Sequence, residues 1–191
     1  MKVPGPWTDG YVLERRHTLG SEFLGHDSFG NPQFNTTRSE LGELVFRLKN
    51  RNDKRTLDPI AETAETFIEG WAPPFDVIVP IPPSRKRLAY QPVSEIAKAI
   101  GRRLSKPVNL RAVKKIKDTP ELKDIFDHQQ RSNLLQGAFS IDRNAVHGKR
   151  ILLIDDLYRS GATAAVVTQE ILGSGAAAVY MLAMTKTRTR T

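Results

Sequence analysis

Short apolar runs recur along the chain, each followed by a polar or glycine-rich break and then by apolar residues at helical spacing. FDVIVPIP, Phe75 to Pro82, and Arg150 to Ile154 read as buried strands, because continuous apolar runs of this length suit a sheet covered on both faces. Val108 to Val113, Ala138 to Ile141 and Ala177 to Met184 are strand-like as well. Between these runs, Ile60, Ala61, Ala64, Phe67 and Ile68 share one helical face, with Asp58 as cap, Pro59 at the first helical position and Gly70 as the stop. A second helix starts at Pro92 and carries Val93, Ile96, Ala97, Ile100 and Leu104 on one side. A third runs from about Thr163 to Leu172, ended by Gly173 and Gly175, and a shorter one covers Glu40 to Leu48 ahead of the charged turn KNRNDKR.

Strands alternating with amphipathic helices predict an α/β domain, a single parallel twisted sheet flanked by helices on both faces. Residues 1–40 differ in character, being rich in Gly, Pro, Thr and aromatics with short alternating runs at Tyr11 to Glu14 and Gln33 to Thr36. They read as a small hood of irregular strands or a hairpin, ahead of an α/β domain over residues 41–191. The polar stretch Lys114 to Gln136 has weak periodicity and is long enough to be a mobile excursion over a site.

Composition narrows the chemistry. The chain has 191 residues, enough for one core, and no cysteine, which excludes disulfides and thiolate zinc ligands; its four histidines lack close metal-ligand spacing. No segment is apolar enough for a signal peptide or a membrane span, so a cytoplasmic protein with no membrane partner is expected. Net charge is +8, and the excess is local: eleven Lys and Arg lie between Arg85 and Lys117 against one acid, Glu95. Part of that is a solvated helix face at Lys98, Arg102 and Arg103. The remainder suits an anionic ligand, either a phosphate compound or single-stranded DNA, although Tyr90 alone could stack a base there.

In open α/β sheets, ligands bind at the carboxyl ends of strands. Two unusual stretches, PIPPSRKR and DDLYRSGAT, follow the apolar runs at Phe75 and Arg150. Asp155 and Asp156 place like charges side by side, which is costly out of water unless a ligand or cation compensates them. Ser160-Gly161-Ala162-Thr163 leads into a helix, where backbone N–H groups, hydroxyls and the helix dipole could converge on a phosphate, although a plainly capped helix has the same pattern. Carboxylates accept hydrogen bonds from vicinal hydroxyls, and a phosphate loop one sugar-length away would complete a receptor for a ribose 5-phosphate.

The segment Ile151 to Thr163 resembles the phosphoribosyl pyrophosphate (PRPP) motif of type I phosphoribosyltransferases. Val79 to Arg85, Thr119-Pro120 to Lys123, Arg131-Ser132-Asn133 followed by Gly137-Ala138-Phe139, and Gly175-Ala176 resemble the ComF subgroup, its competence-associated members. The resemblance implies that Asp155 and Asp156 bind the ribose hydroxyls, stabilise charge at the anomeric carbon and meet Mg²⁺, directly or indirectly. It implies that Arg159, Ser160, Gly161, Ala162 and Thr163 hold the 5-phosphate, and that Pro82, Pro83, Ser84, Arg85 and Lys86 hold pyrophosphate. Arg131 is expected to assist catalysis and Asn133 to contact the ligand, beside a catalytic loop drawn from Lys114 to Gln136. Three functions follow: transfer of a phosphoribosyl group to a nitrogen nucleophile, PRPP sensing without catalysis, or a single-stranded DNA accessory of DNA uptake. The partners expected are PRPP with Mg²⁺, an acceptor, and a second copy of the chain in a homodimer. Arg159-Ser160 stands where the motif usually has Thr-Thr, and the zinc-binding cysteines of many ComF relatives are absent.

Overall fold

The computed structural model describes residues 1–83, 91–117 and 134–187. Four strands form one parallel sheet in the order β1-β8-β7-β4: β1 (Asp9–Glu14), β4 (Val77–Pro80), β7 (Arg150–Tyr158) and β8 (Ala178–Lys186). Parallel neighbours cannot be joined by tight turns, so each connection must cross over a face of the sheet, which is where the helices lie. On one face pack α1 (Glu40–Arg51), α2 (Leu57–Trp71) and α3 (Pro92–Arg103). Leu152, Ile154, Leu182 and Met184 of the central strands face them. On the other face lie α4 (Arg143–Val146), α5 (Ala162–Gly173) and a two-stranded antiparallel ribbon, β5 (Val113–Lys115) with β6 (Phe139–Ile141). Ile151, Leu153, Val179, Met181 and Ala183 point to that side. The buried runs of β7 and β8 are therefore split residue by residue between two cores, as period-two alternation requires. Among the described residues no helix is long and apolar enough to cross a membrane.

The first forty residues divide in two. Asp9–Glu14 joins the main sheet as its edge strand beside β8, covered outside by residues 1–3 through an antiparallel bridge of Lys2 with Tyr11. β2 (Thr18–His26) and β3 (Pro32–Arg38) form an antiparallel hairpin with Phe23 opposite Phe34.

Local boundaries depart from the sequence reading in several places, among them the ends of α1, at Arg51, and of β8, at Lys186. β7 runs through the two aspartates to Tyr158, where an end at Ile154 was expected. Helix α2 begins one residue before Asp58, because Asp53 caps a short 3₁₀ turn, Lys54–Thr56, that leads straight into it; Asp58 bonds Arg103 instead. The helix continues past Gly70 to Trp71 and closes on Ala72 in the left-handed conformation. The expected strand Val108 to Val113 is broken into a bridge of Val108 with Ile78 and the first residue of β5, since Asn109 Oδ1 accepts the Arg111 N–H and turns the chain away between them.

Candidate functional site

β4 and β7 are neighbours in register, Pro80 beside Ile154, and the Ile81 N–H donates to Ile154 O at 2.8 Å. Pro82 and Pro83 thus leave the sheet at the level of Asp155. The described start of the first stretch, to Pro83, and the two acids that open the second meet at one carboxyl edge, where ligands of open α/β sheets bind. Ser84, Arg85, Lys86, Arg131 and Asn133 lie outside the described residues, as does most of the Lys114 to Gln136 stretch; Lys114 and Lys115 themselves lie in β5.

Alternation along β7 sends the two acids to opposite faces. Asp155 follows Ile151 and Leu153, and Asp156 follows Leu152 and Ile154. Asp155 is half-buried, and its Oδ1 accepts the Asp156 N–H at 2.9 Å. Burial first, and the neighbouring Asp156 charge second, push the Asp155 carboxyl up to about 7. Asp156 is only 6% exposed, and Lys49 Nζ donates to its Oδ2 at 2.8 Å. Lys49 is held charged against the cost of burial chiefly by the Asp156 carboxylate. The Asp156 carbonyl accepts from Thr185 Oγ1 at 3.3 Å, and Thr185 Oγ1 meets His17 Nδ1 at 3.0 Å. Burial, then the Arg38 charge, hold the His17 imidazole below its usual range.

Sequence reasoning missed Lys49, His17 and Thr185 as parts of this site. A signal for Lys49 was present: Gly42, Val45 and Lys49 fall in one helical row, but the row is visible only if the helix continues into KNRNDKR, as α1 does to Arg51. Ser39 Oγ caps that helix by accepting the Gly42 N–H at 3.1 Å, so the start of α1 is fixed and Lys49 is carried to the sheet edge.

The loop after the acids is built for a close approach. Gly161 is the residue before α5, with φ +77°, and it makes no side-chain cap bond. Ser160 Oγ reaches only the Ala162 N–H, at 3.4 Å. The first N–H groups of an α-helix have no partner within the helix, so α5 presents donors and the positive end of its dipole beside Ser160 and Thr163. A side chain at Gly161 would strike the Tyr158 ring, which packs beneath the loop and against Trp7. Arg159 is exposed, Ser160 and Thr163 are half-buried, and Ala162 is buried. Arg159 lies within electrostatic range of Lys49. No group of three or more His, Cys, Asp or Glu that could hold a metal ion occurs among the described residues.

Of the basic residues farther from this edge, Lys98 pairs with Glu95 at 2.7 Å and Arg103 with Glu65 and Asp58. That is the solvated outer face of α3 that the spacing predicts.

No family model matches the chain, and no curated protein matches it. Solved structures do. The glutamine phosphoribosylpyrophosphate amidotransferase of B. subtilis, complexed with ADP and GMP, is 17% identical with a TM-score of 0.52, over 82% of this chain and 34% of that one. An allosteric regulatory enzyme of purine biosynthesis is 19% identical at a TM-score of 0.48, over 82% of this chain and 33% of that one. Adenine phosphoribosyltransferase of Saccharomyces cerevisiae is 16% identical at 0.49, over 87% and 84% of the two chains. The chain spans about a third of the length of the first two. Its parallel sheet flanked by helices is the fold shared with the matching part of the B. subtilis amidotransferase, and this chain carries extra antiparallel strands near the N-terminus.

Proposed function

We propose that the protein binds PRPP at the carboxyl edge of β4 and β7 and transfers its phosphoribosyl group to a nitrogen nucleophile. The observation that carries this reading is the junction of β7 with α5. Two acids are followed within five residues by a left-handed glycine and a helix start where the N-cap glycine offers no side chain and only Ser160 Oγ, 3.4 Å from the Ala162 N–H, meets a donor. A merely structural strand-to-helix turn has no need to leave the remaining donors without a side-chain partner beside one buried and one half-buried carboxyl.

In this reading the residues Arg159 to Thr163 hold the 5-phosphate through backbone N–H groups and hydroxyls. Asp155 and Asp156 accept hydrogen bonds from the ribose hydroxyls. As the bond from the anomeric carbon to the pyrophosphate oxygen breaks and the bond to nitrogen forms, positive charge grows on the sugar, and the two carboxylates stabilise it. The nitrogen gives up its proton to the departing pyrophosphate, which leaves past the Pro82 to Lys86 loop, with Arg131 and Asn133 assisting from the stretch before β6. Two adjacent carboxylates and ligand phosphates form an oxygen-only donor set of the kind Mg²⁺ accepts, with Asp155 and Asp156 as the protein's share. Mg²⁺ bound with PRPP would neutralise charge on the departing pyrophosphate. The hairpin Thr18–Arg38 springs from His17, beside Thr185 and the acids, and serves as the hood. Membership of the ComF subgroup is part of the same proposal, supported by the sequence spacings that resemble it.

Calorimetric titration of Mg²⁺ and PRPP tests the reading. Binding is expected for the wild type and not for a folded Asp155→Asn, Asp156→Asn double variant. Equal binding by both would overturn the assignment. Pyrophosphate release with a panel of nucleobases and amines then separates a transferase from a protein that senses the same ligand without turnover.

A further inference from the structure

The Lys49 to Asp156 ion pair poses a problem for any ligand that uses both acids. Asp156 is almost wholly covered, and its Oδ2 already accepts from Lys49 Nζ at 2.8 Å. A sugar hydroxyl can replace the hydrogen bond that Lys49 makes, but it cannot replace the charge. Displacing the ammonium without giving it a new anion would leave a cation stranded beside Arg159 and a carboxylate uncompensated in the interior, the costly way to break a buried pair. Lys49 is able to move where Asp156 is not: its side chain is 44% exposed against 8% for the aspartate, on a flexible four-carbon stem in the last turn of α1.

We propose that Lys49 sets the ligand selectivity of the site: its ammonium neutralises Asp156 in the free protein and passes to a second anionic group of the ligand when a sugar hydroxyl takes Asp156 Oδ2. A ribose 5-phosphate that carries pyrophosphate on the anomeric carbon supplies that second anion, and the monophosphate does not. The ammonium therefore has an anion in both states, and Asp156 Oδ2 has a hydrogen-bond donor in both, first Lys49 and then the sugar hydroxyl. Asp155, on the other face of β7, needs no such exchange, because its carboxylate already accepts a backbone N–H. This role rests on the ribose-phosphate reading and deepens it, by giving the site a means to reject sugar monophosphates that share its hydroxyls and phosphate.

The test compares PRPP with ribose 5-phosphate, each with Mg²⁺, by calorimetry on the wild-type protein and on Lys49→Gln, Lys49→Met and Lys49→Arg, with circular dichroism melts to confirm folding. Gln keeps a donor for Asp156 without the charge, so it remains informative if Met fails to fold. The wild type is expected to prefer PRPP. In Lys49→Gln, PRPP affinity should fall about tenfold or more, the worth of one charge-assisted contact, while ribose 5-phosphate affinity stays within about twofold. Arg should restore the preference. Parallel loss of both ligands, or wild-type selectivity in a folded Gln variant, overturns the role of Lys49 and leaves the binding site standing. Failure of the wild type to bind either sugar overturns the ribose-phosphate reading itself, and this role with it.

Discussion

Replacing Asp155 by Asn should stabilise the protein, and should do so only above mild acidity. The Asp155 carboxyl is pushed from 3.8 to about 7, mainly by burial and then by the Asp156 charge. The native state thus binds a proton more tightly than the unfolded chain does. The sign follows: this group's contribution to stability is fully present below pH 3.8, falls as pH rises, and is lost as pH passes about 7. The full displacement corresponds to at most ~4 kcal/mol, and partial exposure of the side chain reduces the expected figure to about 1–2 kcal/mol. Asn has the same shape, and its amide oxygen can still accept the Asp156 N–H, but it never ionises. For a chain of this length the gain at pH 8 amounts to about 2–8 °C in Tm, vanishing near pH 4. Thermal melts of wild type and Asp155→Asn at intervals from pH 4 to 8 measure it. Curves that run parallel across that range, or a variant destabilised at pH 8, would refute the claim that Asp155 is kept at a cost for its ligand. The same substitution is expected to weaken PRPP binding, so stability and affinity should move in opposite directions.

Gly161→Ala places a methyl at φ +77° against the Tyr158 ring and should cost about 1–3 kcal/mol in urea unfolding, with loss of PRPP affinity. A stable Gly161→Ala protein with intact binding would remove the loop from the site. Asp76 has its carboxyl lowered to about 2 by the Arg150 side chain and N–H, so its stabilising contribution is present above pH 3.8 and lost as pH falls through about 2. Asp76→Asn should therefore melt below wild type at neutral pH and converge with it towards pH 2, and high salt should shrink the difference because the pair is exposed.

The layered sheet was legible because its signals are local: continuous apolar runs for β4, β7 and β8, and helical faces that survive as the buried sides of α2 and α3. Tyr11 to Glu14 reads the same way whether it belongs to a hairpin or to a sheet edge. Only pairing with β8, from the far end of the chain, decides between them, and a parallel partner leaves no turn in the sequence to announce it. The end of β7 was misjudged for an electrostatic reason. Two aspartates look like a strand stop, yet the backbone ladder continues, with Leu157 beside Thr185, once a cation from another element neutralises one of them. That cation lay a hundred residues upstream in what reads as a surface turn, and its role depends on a contact that no local pattern encodes. Asp58 failed as a cap for a related reason, since Asp53 made an earlier turn and Arg103 recruited Asp58 across the helix interface.

Adjacent acids in a strand differ from adjacent acids in a helix or a loop. In a helix their side chains diverge by about 100°, and in a loop nothing fixes them. In a strand, period-two alternation sends them to opposite faces, which lessens their mutual repulsion and gives each its own surroundings. Here Asp156 turns towards α1 and takes Lys49, while Asp155 turns to the face that carries α5 and takes a backbone N–H. The chain thereby keeps two carboxylates at one sheet edge in unequal states, one compensated by a cation from α1 and one raised towards neutrality by burial. A ligand with vicinal hydroxyls and anionic groups at both ends of its sugar would suit that asymmetry, because its hydroxyls can donate to the carboxylates while an anionic group takes up the movable cation.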